Sequence, residues 1–86
     1  MNFGEAFKLL HAGQKLSRTA WNDVNVFVFI VPGSTFKVNR PPLLGIFEEG
    51  TEVVYRSHID MKYADGTIGV YLVNSNDVLA TDWEQV

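Results

Sequence analysis

The 86-residue chain has room for a single domain, residues 1–86, and with 47% apolar and 20% charged residues it is not a disordered segment. Ten acidic against seven basic residues leave a formal charge of −3, which argues against sequence-independent binding along a phosphate backbone but not against one small nucleotide in a pocket. The absence of cysteine excludes disulfide frameworks, thiolate nucleophiles and zinc–thiolate sites, and is compatible with a cytosolic home.

In chain order, Phe3, Ala6, Phe7 and Leu10 fall at helical spacing, and Asn2 followed by Glu5 resembles a capping box. Gly13 stands where a helix-ending glycine belongs, so the pattern predicts a helix over 3–12. Lys15–Thr19 reads as a short edge strand. Val26–Val31, β-branched and aromatic throughout, reads as a strand stopped by Pro32-Gly33. Such a strand is buried on both faces, or buried on one and binding something with the other. Thr35–Val38 extends or restarts it, and Asn39-Arg40-Pro41-Pro42 is irregular. Leu43–Phe47 and Val53–Arg56 form a hairpin around Glu48-Glu49-Gly50, or Leu43–Phe47 is a helical turn; the pattern leaves both open. His58–Tyr63 and Thr67–Leu72 make a hairpin across Ala64-Asp65-Gly66, where Asp-Gly is a strong signal for a tight turn because both residues can take positive φ. Asn76–Ala80 is one helical turn capped by Asn74 or Ser75, and Asp82–Val86 is a closing strand. The expected class is α+β: an N-terminal helix packed on a mostly antiparallel, curved β-sheet, with a short C-terminal helical turn.

A domain this small buries only about 60% of its unfolded surface, and eleven aromatic residues must be placed. Some are expected to cover a partner subunit or a ligand. The N-terminus lacks a basic region followed by an apolar run, and the longest apolar run, Val26–Val31, falls far short of the roughly 20 residues that cross a bilayer. A soluble protein without a targeting signal is expected.

His11 and His58 are the only histidines and lack metal-ligand spacing. No serine lies in a nucleophile elbow, and no glycine pattern matches a phosphate loop. Asp77 and Asp82, like Glu48 and Glu49, read as solvated loop acids. These features point away from an enzyme, a metal and any cofactor. Arg18, Arg40 and Arg56 are the guanidinium candidates for a phosphate. Trp21-Asn22 sits in a turn between two strands. Its indole either folds back under the sheet or offers a stacking platform for a planar base, with Asn22 reading polar edges. Phe27 is a candidate second wall. Asn74-Ser75-Asn76-Asp77 gathers amides, a hydroxyl and a carboxylate; it is a helix cap, or it supplies polar contacts to ribose hydroxyls. Trp83 reads as core.

Taken together, Met1-Asn2-Phe3-Gly4-Glu5-Ala6, Gly13-Gln14-Lys15, Arg18-Thr19-Ala20-Trp21-Asn22, Ile30-Val31-Pro32-Gly33-Ser34, Met61–Thr67 and Asp77–Glu84 resemble one family of small phage and prophage proteins. That family includes the second type of Thoeris anti-defence protein. The resemblance is weakest around residues 36–57. It implies a sponge rather than an enzyme, acting in the cytoplasm of the bacterial host. Such a protein binds a cyclic ADP-ribose isomer intact and keeps it from the downstream effector. It also implies a homotetramer with pockets between protomers, no nucleic acid polymer and no membrane. Trp21 would be the stacking residue, with Asn22, Phe27, Asn74 and Asp77 as further contacts and Arg18 and Ser34 as lesser ones. Tyr71, Asn74 and Asp23 depart from the residues common in the family, so the preferred ligand is open. The alternatives are a sponge for cyclic oligonucleotides and a protein-interaction adaptor with no ligand.

Overall fold

Asn2 and Glu5 start the first helix by exchanging bonds: Asn2 Oδ1 accepts from the Glu5 N–H at 2.9 Å, and Glu5 Oε1 accepts from the Asn2 N–H at 3.4 Å. Donors that a helix start leaves open are thereby met. In the computed structural model, which describes residues 1–86, this helix, α1, spans Phe3–His11. Gly13, at φ +86°, turns the chain out of it. The remaining elements are β1 (Leu16–Arg18), a 3₁₀ turn (Thr19–Trp21), β2 (Phe27–Val31), β3 (Ser34–Lys37), β4 (Glu52–Tyr55), β5 (His58–Lys62), β6 (Ile68–Val70), α2 (Ser75–Leu79) and β7 (Trp83–Gln85).

The α+β class holds, and every strand pair is antiparallel. The single sheet does not hold. Five strands form one sheet in the order β6-β5-β2-β1-β7, while β3 and β4 pair only with each other. β1 is not an edge strand either, because β7 returns to pair along it from Leu16↔Gln85 to Arg18↔Trp83. The expected partner of Leu43–Phe47 is also corrected. The segment that became β4 pairs with β3, from Ser34↔Tyr55 to Lys37↔Glu52. Leu43–Phe47 is a turn, with the Phe47 N–H donating to the Leu43 carbonyl at 2.8 Å, which agrees with the helical-turn alternative.

The Asp65-Gly66 hairpin forms, but only Gly66 has a positive φ (+87°). Asp65 instead accepts from the Thr67 N–H at 2.9 Å and from its hydroxyl at 2.6 Å. The loop between Tyr63 and Thr67 is the three residues Ala64-Asp65-Gly66 read from the sequence, with glycine at the left-handed position. Gly33, where the chain leaves β2 for β3, is required for another reason. A Cβ there would lie 2.6 Å from the Tyr55 carbonyl oxygen, so only glycine lets the two segments pass.

One face of the large sheet is closed. Val28 and Leu16, register partners on β2 and β1, point the same way and meet Ala6 and Leu10 of α1 and Trp83 of β7. Trp83 is core, as read from the sequence. Strand alternation then puts Phe27, Phe29 and Val31 on the opposite face. Only 8 of 86 residues are buried. The Cα radius of gyration is 16.0 Å, against about 12 Å for a compact chain of this length. The molecule measures 46 × 26 × 21 Å, and the β3–β4 pair forms an arm whose β3 residues are all exposed.

The closed core is small, so each member matters. Leu16→Ala is expected to cost about 2–5 kcal/mol. Urea denaturation should show a lower midpoint at an unchanged slope.

Candidate functional site

Arg18 is the one charged side chain on the interior strand β1, and a guanidinium there needs counter-charges. It finds two. Its Nε donates to Asp82 Oδ1 at 2.8 Å and its Nη1 to Asp77 Oδ1 at 2.8 Å. Its side chain is only 17% exposed and that of Asp77 only 7%, so this is an enclosed cluster rather than a surface ion pair. The reading of both acids as solvated is corrected here: Asp77 is buried, and Asp82 is clamped to the strand opposite.

Asp77 gathers more than the arginine. Its second oxygen accepts from the Tyr71 hydroxyl and from Asn74 Nδ2 at 3.1 Å. Its N–H donates to Asn74 Oδ1 at 2.9 Å, which makes Asn74 the cap of α2. Its carbonyl accepts from the Trp83 indole N–H at 2.8 Å. A carboxylate withdrawn from water at this depth is tolerable because every face of it is met by a donor.

Asp82 does a separate job. Its Oδ2 accepts from the Ala20 N–H at 2.9 Å and its carbonyl from the Thr19 N–H at 3.1 Å, so the 3₁₀ turn is tied to the start of β7. The turn ends at Asn22, whose φ of 56° is left-handed, a conformation asparagine tolerates better than most residues. That geometry sets Trp21. Its ring stands edge-on to Trp83, with centroids 5.4 Å apart, and edge-on to Tyr71 at 6.3 Å.

The ionisations follow the contacts. The hydrogen bond to Asp82, then that to Asp77, holds the Arg18 guanidinium above its already high ordinary value. Arg18, then the Ala20 N–H, holds the Asp82 carboxyl below the usual carboxylate range. Burial, then the bond to Asp77, pushes the Tyr71 phenol well above its ordinary value.

The structure gathers some of the nominated residues and separates others. Arg18, Asn74 and Asp77 share the cluster, and Trp21 joins it through Tyr71 and Trp83. Trp21 does fold back on the core, yet it is only half-buried, and Asn22 beside it is exposed. Arg18 and Asn22 line an open depression of about 410 Å³ with Thr19, Asp23, Val24 and Glu84. Phe27 lies on the opposite face of the sheet, with the Lys15 and Lys62 ammonium groups 5.0 and 5.5 Å from its ring centre, so it forms no second wall for Trp21 within one protomer. Ser34 is on the arm, paired with Tyr55. A larger groove of about 940 Å³ along the arm includes Phe36, Tyr55 and, of the nominated residues, only the guanidinium candidate Arg40. Sequence reasoning missed Tyr71 and Asp82 as members of the cluster. The available signal was Arg18 itself, a cation on a short strand without a local partner.

The whole chain, residues 1–86, matches the family model described as Thoeris anti-defense 2-like domain. The chain belongs to that family. It is also similar to Thoeris anti-defense 2 of Bacillus phage SP01, at 34% identity over 86 residues, covering 100% of this chain and 94% of that protein. The resemblance seen in the sequence therefore stands at the level of the family. No helix of this family member is long and apolar enough to cross a membrane.

Two titrations probe the cluster. Because the folded pKa of Asp82 is lowered, its contribution to stability is present above the unfolded value of about 3.9 and is lost as pH falls through the folded one. Asp82→Asn is expected to flatten that acid limb in a series of urea melts. Tyr71 has the opposite sign: its contribution is complete below the unfolded value of about 10 and is lost as pH rises through the raised folded value. Ultraviolet titration of wild type against Tyr71→Phe should isolate one phenol that ionises late.

Proposed function

We propose that this protein is a sponge that holds a cyclic nucleotide immune signal, a cyclic ADP-ribose isomer of the Thoeris type, and returns it unchanged. The observation that carries this reading is the match to an anti-defence relative along the entire chain. The cluster supports it. Trp21 and Asn22 sit on a turn whose backbone is fixed by Asp82, and binding to a preorganised site spends little on ordering side chains.

Sequestration works by mass action, so the protein must outnumber the signal and bind it below the concentration at which the effector responds. A nanomolar dissociation constant corresponds to about −12 kcal/mol. Stacking supplies about 1–3 kcal/mol per base, so one tryptophan next to an open depression that it does not line is not enough. Closure by a second protomer meets the shortfall and makes the working form a homo-oligomer, a tetramer with pockets between protomers. In that arrangement Phe27 and Ser34, which one protomer turns away from Trp21, come from a neighbour. Arg18 offers Nη2 to a phosphate while Nε and Nη1 hold the acids. Asp77 and Asn74 act from behind by fixing Arg18 and Tyr71.

Native mass spectrometry tests the reading, using the purified protein alone and after mixing with lysate from cells whose Thoeris sensor is active. The expected result is an oligomer carrying adducts of ADP-ribose-derived mass that are released chemically intact on denaturation. A changed product would replace the sponge with an enzyme. An oligomer without an adduct, in this lysate and with added cyclic oligonucleotides, would leave an adaptor. Trp21→Ala is expected to keep the oligomer and lose the adduct; dissociation with affinity retained would make Trp21 purely structural.

A further inference from the structure

One wall of the depression beside Arg18 is the loop 22–26, which contributes Asn22, Asp23 and Val24 to its lining. Asp82 fastens the chain just before this loop. The far end of the loop runs into β2, and there the sheet opens. β1 and β2 pair at a single position, Leu16↔Val28. The same register would next set Arg18 opposite Val26, but the ladder stops short of it. A side chain takes over instead: the Ser17 hydroxyl donates to the Val26 carbonyl at 2.7 Å.

Ser17 is 0% exposed and is not part of the lining of the depression. One residue earlier, Lys62 Nζ reaches across from β5 and donates to the Asn25 carbonyl at 2.9 Å. The loop itself is a braced turn. Asp23 Oδ1 accepts from the Asn25 N–H at 2.8 Å, and the Asp23 carbonyl accepts from the Val26 N–H at 3.1 Å. A braced turn moves as a unit, so the two donors from outside it, Ser17 and Lys62, set where its far end stands.

We infer that Ser17 is a positioning residue for the ligand site: its hydroxyl fixes the distance of the 22–26 loop from Arg18 without touching what enters between them. The inference rests on the proposed function for its ligand and on this hydrogen bonding for its geometry. Binding groups work only when held to within about 0.5 Å of their productive places, and an opened pair of strands does not hold them without a bridge. Ser17 outweighs Lys62 here. The serine is enclosed, so water does not stand in for its hydroxyl, whereas the lysine bond is exposed and water replaces it at little cost.

Ser17→Ala removes the hydroxyl with little change of volume, and Lys62→Met removes the second donor from the surface. Each is compared with wild type by amide exchange without ligand and by native mass spectrometry over dilutions of the lysate with an active Thoeris sensor. In Ser17→Ala, exchange of the Val26 amide is expected to quicken about tenfold while Ile59 and Met61 in β5 keep their protection, and half-occupancy of the adduct should need about tenfold more lysate. Lys62→Met should act in the same direction by about threefold. Adduct formation unchanged in both variants overturns the inference. So does faster exchange spread over the whole sheet, which would make Ser17 a general support of the fold. If Ser17→Ala does not fold, Lys62→Met decides alone, and wild-type behaviour in it overturns the inference. A wild type that takes no adduct overturns the proposed function; quickened exchange confined to the loop then still upholds the tether, and unchanged exchange overturns that too.

Discussion

A single carboxylate, that of Asp77, joins the parts of this molecule that are far apart in sequence. Its two oxygens and its own peptide group engage Arg18 from β1, Tyr71 after β6, Asn74 at the start of α2 and the Trp83 indole from β7. Burying an ion is costly, and attraction to a partner offsets that cost only where the geometry is good and the remaining lone pairs are filled. Here they are filled. Arg18, Tyr71 and Asn74 all donate to this one carboxylate, so its loss would leave three donors without that acceptor. A five-residue helix such as α2 has little stability of its own and takes its place from this cluster.

The same constraint reaches the surface through Asp82. By holding Arg18 with one oxygen and the backbone of the 3₁₀ turn with the other, Asp82 converts an internal charge cluster into a fixed placement of Trp21 and Asn22. The cluster therefore specifies shape where the hydrophobic core is too small to do so alone. The core has only five fully buried members in its main cluster, and Trp83 belongs to both systems. An enclosed tryptophan bonded to an enclosed aspartate couples packing to charge, so neither can shift without the other.

How much of this was legible in the sequence depended on how local each signal is. α1 was readable because its apolar spacing and its Asn2–Glu5 box lie within a few residues of one another. The β5–β6 hairpin and the Asn74 cap were readable for the same reason. The turn type at Asp65-Gly66 was not, since Asp65 bonds forward to Thr67 instead of adopting positive φ. β1 looked like an edge strand because Lys15–Thr19 is short, and only β7, more than 60 residues later, makes the strand interior. The arm stayed open in the sequence because β3 pairs across the whole intervening segment rather than with the nearest apolar run. The buried state of Asp77 is the least local feature of all: an aspartate near the chain's end reads as solvated until Arg18 is set beside it. The family was legible from ordered fragments spread along the chain, which escape this limit because they sample every region at once.

The separation between Arg18 and its two acids, 59 and 64 residues, has a consequence for synthesis. A ribosome adding about 5–20 residues per second releases α1, β1 and β2 several seconds before the segment that completes them. During that interval Leu16 lacks Trp83 beside it, the guanidinium has no counter-ion, and one long edge of the nascent sheet is unpaired. The sheet and the cluster are complete only once β7 has been made, pairs along β1 and brings Asp82 beside Arg18.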